Sequence, residues 1–301
     1  MPRQYLFLPF DHRGSFEKGL LGIEGRAPNP KEVLKLKEFK QIIFNGILVS
    51  VRRKGVSKKE LAVLTDETYG ADVLKQAQKL KITTAMPVEK SGQDVFDFDE
   101  GAKFRKQIKR VNPDFVKALV RYNPDNAKDN IVQRKRLKEL NDFLKKEKRK
   151  FLFELLVPAT KDQQAKYGQS YDDTIRPGLM IKAIAELQKE GIRPTLWKIE
   201  GVNNSKDMES IVLQAQSVDK GAMIIVLGRG ESEENVKRWL QKSAQVKGVE
   251  GFAVGRTVFM EPLKQYVAGK ITKEQASEVI ADNYLRLVAV WERLKNGKPV
   301  K

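Results

Sequence analysis

The sequence predicts an α/β protein that folds as a (β/α)8 TIM barrel, a closed ring of eight parallel strands with a helix after each strand. Short apolar runs rich in β-branched and aromatic residues recur along the whole chain, and each is followed by a longer amphipathic stretch. There are eight such units, whereas an open doubly wound sheet more often has about five or six strands. We therefore interpret residues 1–301 as one barrel domain, a length typical of this fold.

The strand predictions follow from the short apolar runs, and the helix predictions follow from the 3.6-residue periodicity between them. Strands are predicted at residues 5–10, 61–66, 83–88, 115–122, 151–157, 196–200, 222–227 and 251–255. Helices are predicted at residues 30–54, 71–80, 100–109, 130–148, 174–189, 206–216, 233–243 and 272–295.

Composition excludes several kinds of chemistry. The chain has no cysteine, which rules out disulfides, thiolate zinc sites and cysteine nucleophiles, and its one histidine, His12, is too few for a multi-imidazole metal site. Catalysis would therefore depend on Lys, Arg, Asp, Glu, Ser, Thr or Tyr side chains.

The formal net charge of +18 raises the question of an anionic partner. Basic residues are densest at residues 134–150, where Glu139, Asp142 and Glu147 interrupt them as on a solvated helix face. This favours anionic metabolites over nucleic acid. No window approaches the roughly 20 apolar residues of a membrane span, and no secretory leader is recognisable at the first residues, so we expect a cytoplasmic protein without a membrane partner.

In a barrel of this kind the active site is built at the carboxyl ends of the strands. Polar residues are concentrated at the predicted strand ends, namely Asp11, His12, Arg13, Asp66, Glu67, Glu89, Lys90, Arg121, Tyr122, Asn123, Glu154, Lys198, Glu200, Gly228, Arg229, Gly230, Gly255 and Arg256.

Alternation along the strands turns some charged residues inward. In LWKIEG (196–201), Trp197 and Ile199 share one face while Lys198 and Glu200 share the other. The same reasoning places Lys117 on the inward face of its strand, and Glu154 is a carboxylate among apolar neighbours in the next strand. A buried lysine can serve as a nucleophilic amine, and a buried carboxylate can carry protons. The alternative is a structural ion-pair layer formed by Lys117, Glu154, Lys198 and Glu200.

The last two strands end in Gly228-Arg229-Gly230 and Gly255-Arg256. Loops after the seventh and eighth strands are the common phosphate site of this fold, and glycines let the backbone approach a ligand. We expect a side chain at Gly255 to block phosphate while leaving the fold intact. Ordinary turn glycines are the alternative interpretation.

Several stretches carry a family resemblance. The chain resembles the aldolase-like domain fused to 5-dehydro-2-deoxygluconokinase in bacterial inositol degradation, and more distantly tagatose 1,6-bisphosphate aldolase. The resemblance covers nearly the whole chain and rests on LPFDHRGSF (8–16), TDETYG (65–70), VEKSGQ (88–93), LVRYNP (119–124), FELLVP (153–158), WKIEG (197–201) and GFAVGRTVF (251–259).

This resemblance implies a class I, Schiff-base aldolase that needs no metal or organic cofactor. It places the Schiff-base lysine at Lys198, a helper lysine at Lys117 and the proton-transferring glutamate at Glu154. Either Glu67 or Glu89 is expected to be the base that opens the C–C bond. The expected substrate-binding and phosphate-binding residues are Asp11, Arg13, Lys90, Arg121, Glu200, Gly228, Arg229, Gly230, Gly255 and Arg256.

The implied substrate is 2-deoxy-5-keto-gluconate 6-phosphate, split to dihydroxyacetone phosphate and malonate semialdehyde. Fructose or tagatose 1,6-bisphosphate is the other candidate substrate. Two further alternatives remain, a non-catalytic sugar-phosphate-binding barrel and a Mg²⁺ enzyme using Glu67, Glu89, Glu154 and Glu200. The oligomeric state, including a homo-oligomer, stays open.

Overall fold

The computed structural model describes residues 3–298 and confirms the predicted fold class: eight parallel strands form a closed barrel in chain order. Each strand lies within about two residues of its predicted position. The strands are β1 (Tyr5–Pro9), β2 (Leu61–Leu64), β3 (Thr83–Pro87), β4 (Phe115–Arg121), β5 (Lys150–Leu156), β6 (Leu196–Glu200), β7 (Met223–Leu227) and β8 (Val249–Ala253).

The barrel closes through pairing of its first and last strands. Tyr5 of β1 is in register with Gly251 of β8, and Phe7 is in register with Ala253. A Cβ atom at Gly251 would lie 1.9 Å from the carbonyl oxygen of Tyr5, so only glycine permits this approach of the two backbones. The predicted adjacency of the first and last strands is confirmed.

Helices surround the barrel, and the periodicity did not predict four of them, Gly14–Leu21, Lys161–Tyr167, Tyr171–Thr174 and Arg256–Val267. The helices are α1 (Gly14–Leu21), α2 (Pro30–Arg52), α3 (Glu67–Lys79), α4 (Phe104–Val111), α5 (Ala127–Lys146), α6 (Lys161–Tyr167), α7 (Tyr171–Thr174), α8 (Arg176–Lys189), α9 (Ser205–Ala215), α10 (Glu233–Ser243), α11 (Arg256–Val267) and α12 (Lys273–Lys295). Within residues 3–298 each helix is too short or too polar to cross a lipid bilayer.

The two faces of the strands build two apolar layers. Outward residues such as Trp197 and Ile199 pack beneath the helices, while inward residues such as Phe7, Phe115 and Leu196 fill the barrel itself. We call this inward layer the inner core. Lys117, Glu154 and Lys198 each follow an inner-core residue by two positions, so they form the next layer toward the carboxyl ends of the strands.

Candidate active site

Two adjoining cavities open at the carboxyl ends of the strands. The first lobe has a volume of about 700 Å³ and the second lobe about 390 Å³. Both are lined by His12, Ser15, Leu119, Arg121, Glu154 and Lys198. Lys198 therefore lies at the junction of one elongated site.

A chain of ion pairs starts at Lys198. Glu154 of β5 is in register with Lys198 of β6, and this neighbouring position brings Lys198 Nζ to 2.6 Å from Glu154 Oε1. The other oxygen, Oε2, lies 3.0 Å from Lys117 Nζ on β4. Glu154 thus bridges the two lysines that the alternation pattern placed inside the barrel.

Lys117 is the centre of this network. Its Nζ also lies 2.8 Å from Asp11 Oδ2 and 2.5 Å from Glu89 Oε1. Burial lowers the pKa of Lys117, but the three carboxylates outweigh burial and hold that pKa well above its ordinary value. Lys117 therefore stays protonated and acts as a fixed positive charge.

The three carboxylates differ in their readiness to bind a proton. Burial opposes ionisation of Asp11 and Glu154, but Lys117 and Lys198 outweigh it and hold both pKa values below their ordinary range. Burial dominates at Glu89 and raises its pKa, and its Oε2 is buried without a hydrogen-bond partner. Glu89 is thus the stronger base when ionised, and Glu154 is the carboxylate that is charged beside the lysines in the resting site.

Two of the cations in the first lobe are engaged by protein carboxylates. Arg13 Nη1 lies 2.6 Å from Asp99 Oδ2, and Lys90 Nζ lies 3.3 Å from Asp97 Oδ2. Arg121 differs, because its Nη1 donates to the Gln93 carbonyl oxygen at 2.6 Å and no ion pair with it is present in residues 3–298. Arg121 is therefore available to bind an anion at the junction of the lobes.

The second lobe is lined by Gly228, Arg229, Gly230, Gly255 and Arg256. Gly255 is the N-cap of α11, where the first backbone N–H groups of a helix have no partner within the helix.

Arg229 and Glu200 are held by ion pairs in this lobe. Arg229 Nε lies 3.2 Å from Glu200 Oε1 and its Nη1 lies 2.7 Å from Asp172 Oδ2. The buried Arg176 lies 3.1 Å from the same Glu200 oxygen. Glu200 therefore pairs with arginines and not with Lys198.

Glu67 requires a correction. The sequence offers it as a possible base, but its carboxylate binds Arg110 at 2.8 and 2.9 Å and lines a separate small cavity. Glu67 is the first residue of α3, so its side chain turns to the neighbouring helix α4 instead of the barrel mouth. Of the two candidate bases, Glu67 and Glu89, it is Glu89 that lies beside Lys117.

The magnesium alternative also loses its ligand set. Glu67 is bound to Arg110 and Glu200 to two arginines, and residues 3–298 contain no cluster of three His, Asp or Glu side chains suited to a metal ion.

The expectation that a side chain at Gly255 leaves the fold intact is wrong. A Cβ atom there would lie 2.1 Å from the carbonyl oxygen of Pro9, so β1 itself occupies the space.

Sequence reasoning missed Lys40 of α2. This fully buried lysine pairs with Asp66 at 2.8 Å and donates to the carbonyl oxygens of Phe10 and His12, the latter at 2.8 Å. It fixes the loop after β1 that carries Asp11 and His12. Lys40 occupies a position in the buried apolar stripe of α2, and that is the signal that could have found it.

Solved structures with the same fold include two fructose-bisphosphate aldolases. The aldolase from Plasmodium falciparum, solved with TRAP and a small-molecule inhibitor, has a TM-score of 0.65 at 11% identity, over 99% of this chain and 92% of that chain. The aldolase from Slackia heliotrinireducens has a TM-score of 0.55 at 10% identity, over 93% and 86%. Cgl0159 from Corynebacterium glutamicum has a TM-score of 0.57 at 16% identity, over 95% and 85%.

At these identities the structural likeness shows the (β/α)8 barrel fold alone. No curated protein matches the sequence. A family match covers residues 2–295, nearly the whole chain, and the chain belongs to the family described as "Uncharacterized protein conserved in bacteria (DUF2090)".

Proposed function

We propose that this barrel is a class I aldolase that cleaves a phosphorylated keto-sugar or keto-sugar acid through a Schiff base on Lys198. The observation that carries the proposal is the buried Lys198 amine, which lies 2.6 Å from Glu154 at the junction of two lobes. A structural ion pair has no need of a cavity on both sides, whereas a nucleophile must reach its substrate.

The Lys198–Glu154 pair can form an iminium without a net change in protons. Lys198 gives one ammonium proton to Glu154 and attacks the ketone carbon, and a second nitrogen proton passes to the carbonyl oxygen to form the carbinolamine hydroxyl. Glu154 then gives that proton to the departing hydroxyl, which leaves as water. The positive charge begins and ends beside the Glu154 carboxylate, which is consistent with the low pKa of that group.

The C–C bond breaks when a base removes the proton from the hydroxyl on the far side of the bond. Glu89 is the best candidate in the first lobe, since burial raises its pKa and its Oε2 has no partner. The bond electrons then pass to the iminium and give an enamine on Lys198. Lys117 holds Glu89 and Glu154 in place without leaving its protonated state.

The two lobes accommodate the two ends of an extended substrate. The glycine-lined second lobe suits a phosphate at the start of α11, and the first lobe contains the hydroxyl-bearing half. Among the described residues, Arg121 is the first-lobe cation that has no carboxylate partner, which suits one planar carboxylate better than a second phosphate.

This favours 2-deoxy-5-keto-gluconate 6-phosphate, the substrate implied by the resemblance to the kinase-linked aldolase domain. Fructose or tagatose 1,6-bisphosphate remains the second candidate. In this proposal the enzyme is a cytoplasmic single-domain protein that uses neither a metal nor an organic cofactor.

Borohydride trapping tests the proposal. Incubation with dihydroxyacetone phosphate and sodium borohydride should leave a secondary amine on Lys198, located by mass spectrometry of tryptic peptides. An adduct on Lys117 would reverse the two lysine roles. Phosphate binding without any adduct would favour the non-catalytic sugar-phosphate-binding barrel. A coupled assay with the two candidate substrates then selects between them.

A further inference from the structure

His12, the one histidine of the chain, lies in the loop between β1 and α1 and lines both lobes together with Lys198. Its ring packs edge-on against Phe259 with centroids 6.3 Å apart, and its carbonyl oxygen accepts a hydrogen bond from Lys40 at 2.8 Å. Ring and backbone are therefore both held in place.

The ring has an unused nitrogen. His12 Nδ1 is buried and has no hydrogen-bond partner. A buried polar atom without a hydrogen-bond partner is unfavourable, and for a residue that lines a cavity a catalytic role or contact with a bound molecule accounts for such an atom. The aldol mechanism above assigns no task to His12.

His12 and Glu89 lie at different places in the site, which suits them to different proton transfers. Glu89 lines only the first lobe, which contains the hydroxyl-bearing half of the substrate, whereas His12 also lines the second lobe. In the proposed binding mode the phosphate is in the second lobe, so the bond that breaks would lie at the junction and the carbon left on the ketone half would face both lobes.

We propose, on the basis of the aldolase function above, that His12 is the acid that protonates this carbon after the C–C bond has broken. The protons balance over the cycle. Glu89 gains the hydroxyl proton and passes it through solvent in the cavity to the neutral His12 ring, and the resulting imidazolium gives it to the enamine carbon. Protonation restores the iminium, whose hydrolysis releases the ketone and the Lys198 amine.

Charges around the ring suit a group that is neutral before substrate binds. Burial lowers the pKa of His12 to about 4, the Asp11 carboxylate opposes this shift, and the cations Arg256, Lys40 and Lys198 reinforce it. A phosphate dianion beside Gly255 and Arg256 offsets one of these cations and makes protonation of the ring easier. A larger fraction of the ring is then in its proton-donating imidazolium form in the substrate complex.

The reverse of the protonation step can be measured without C–C cleavage. In D₂O, dihydroxyacetone phosphate bound as an iminium exchanges a C–H proton next to the carbonyl for deuterium, and NMR follows this exchange. We expect His12→Asn to slow exchange by at least about 100-fold, the usual contribution of a general acid–base group, while borohydride adduct formation persists. His12→Gln should behave alike, and circular dichroism should show both variants folded.

Two further variants sharpen the test. Ser15→Ala changes a residue that lines the same two lobes. It should leave the rate of deuterium exchange within about twofold of wild type, since a serine hydroxyl does not act as an acid near neutral pH. Glu89→Gln should show the opposite pattern to His12→Asn, with exchange kept and cleavage lost.

The outcomes separate the two proposals. Normal exchange in His12→Asn with a normal adduct overturns the role of His12 and leaves the aldolase standing. Loss of the adduct in this variant also overturns it, because His12 would then act before the carbon is deprotonated. Absence of any adduct in the wild-type protein overturns the aldolase and the proton donor with it.

Discussion

Replacing Lys117 with methionine removes the cation that three buried carboxylates share. Lys117 is 2% exposed and contacts Asp11 at 2.8 Å, Glu89 at 2.5 Å and Glu154 at 3.0 Å. Removing one partner of a buried ion pair costs about 3–5 kcal/mol, and we expect a loss of this size in the free energy of unfolding at pH 7.5. The loss of stability is not three times this size, although three carboxylates lose their partner, because protonation of the carboxylates limits it.

The sign of the pH dependence provides a second check. In the wild-type protein the pKa values of Asp11 and Glu154 are below their unfolded values, so the stability they contribute is lost as pH falls. Without Lys117 the three carboxylates repel one another, so the pKa values of Asp11 and Glu154 rise and the pKa of Glu89, which burial already raises, rises further. The variant should therefore gain stability relative to wild type as pH falls from about 7.5 to 5.

Urea unfolding at the two pH values, followed by circular dichroism and tryptophan fluorescence, measures both effects. Lys90→Met is the matched control, because Lys90 is exposed and makes one ion pair at 3.3 Å, worth less than about 1 kcal/mol. A loss below about 1 kcal/mol for Lys117→Met, or a loss independent of pH, would refute this account of the network.

Three other perturbations have defined outcomes. Lys198→Arg keeps the charge but cannot form an iminium, so aldol turnover should fall on the order of 10⁴-fold while calorimetry still detects phosphate binding; near-normal turnover would remove Lys198 from the mechanism. Gly255→Ala should lower the melting temperature far more than Gly228→Ala. A Cβ atom at position 255 would lie 2.1 Å from the Pro9 carbonyl oxygen, whereas a Cβ atom at position 228 would meet only methyl groups, at 3.2 Å or more. Equal melting temperatures of the two variants would contradict this. The pKa of His12 is lowered from 6.5 to about 4, so between these two pH values the folded protein binds fewer protons than the unfolded chain and its stability falls as pH falls. His12→Asn should lack this part of the pH dependence, which amounts to at most about 3 kcal/mol in urea titrations. An unchanged slope of stability against pH would disprove this expectation.

The barrel and the inward lysines could be predicted because both depend on local periodicity. Alternation along β4 and β6 places Lys117 and Lys198 on the face opposite to the apolar residues that suit the helical shell. The missed helices have short or mixed patterns. For example, α6 and α7 have seven and four residues, and α11 contains Pro262.

The partners of these residues could not be predicted, because they are set by closure of the whole barrel. Asp11 reaches Lys117 across 106 positions of the chain, and no spacing rule connects them. The same limit explains Glu67, whose position at a predicted strand end gives no sign that Arg110 of the neighbouring helix binds it. The catalytic roles of the individual side chains remain predictions for the experiments above.

The inner core also decides how protons reach the site. Phe7, Phe115, Leu152 and Leu196 fill the barrel beneath Lys117 and Lys198 and are all fully buried, so these lysines have no route to water through the amino-terminal end of the barrel. Bulk solvent reaches the site from the side of the two lobes, where a bound substrate lies across the path. The proton that Glu89 removes would then stay within the complex until the first product leaves and opens the path to bulk solvent.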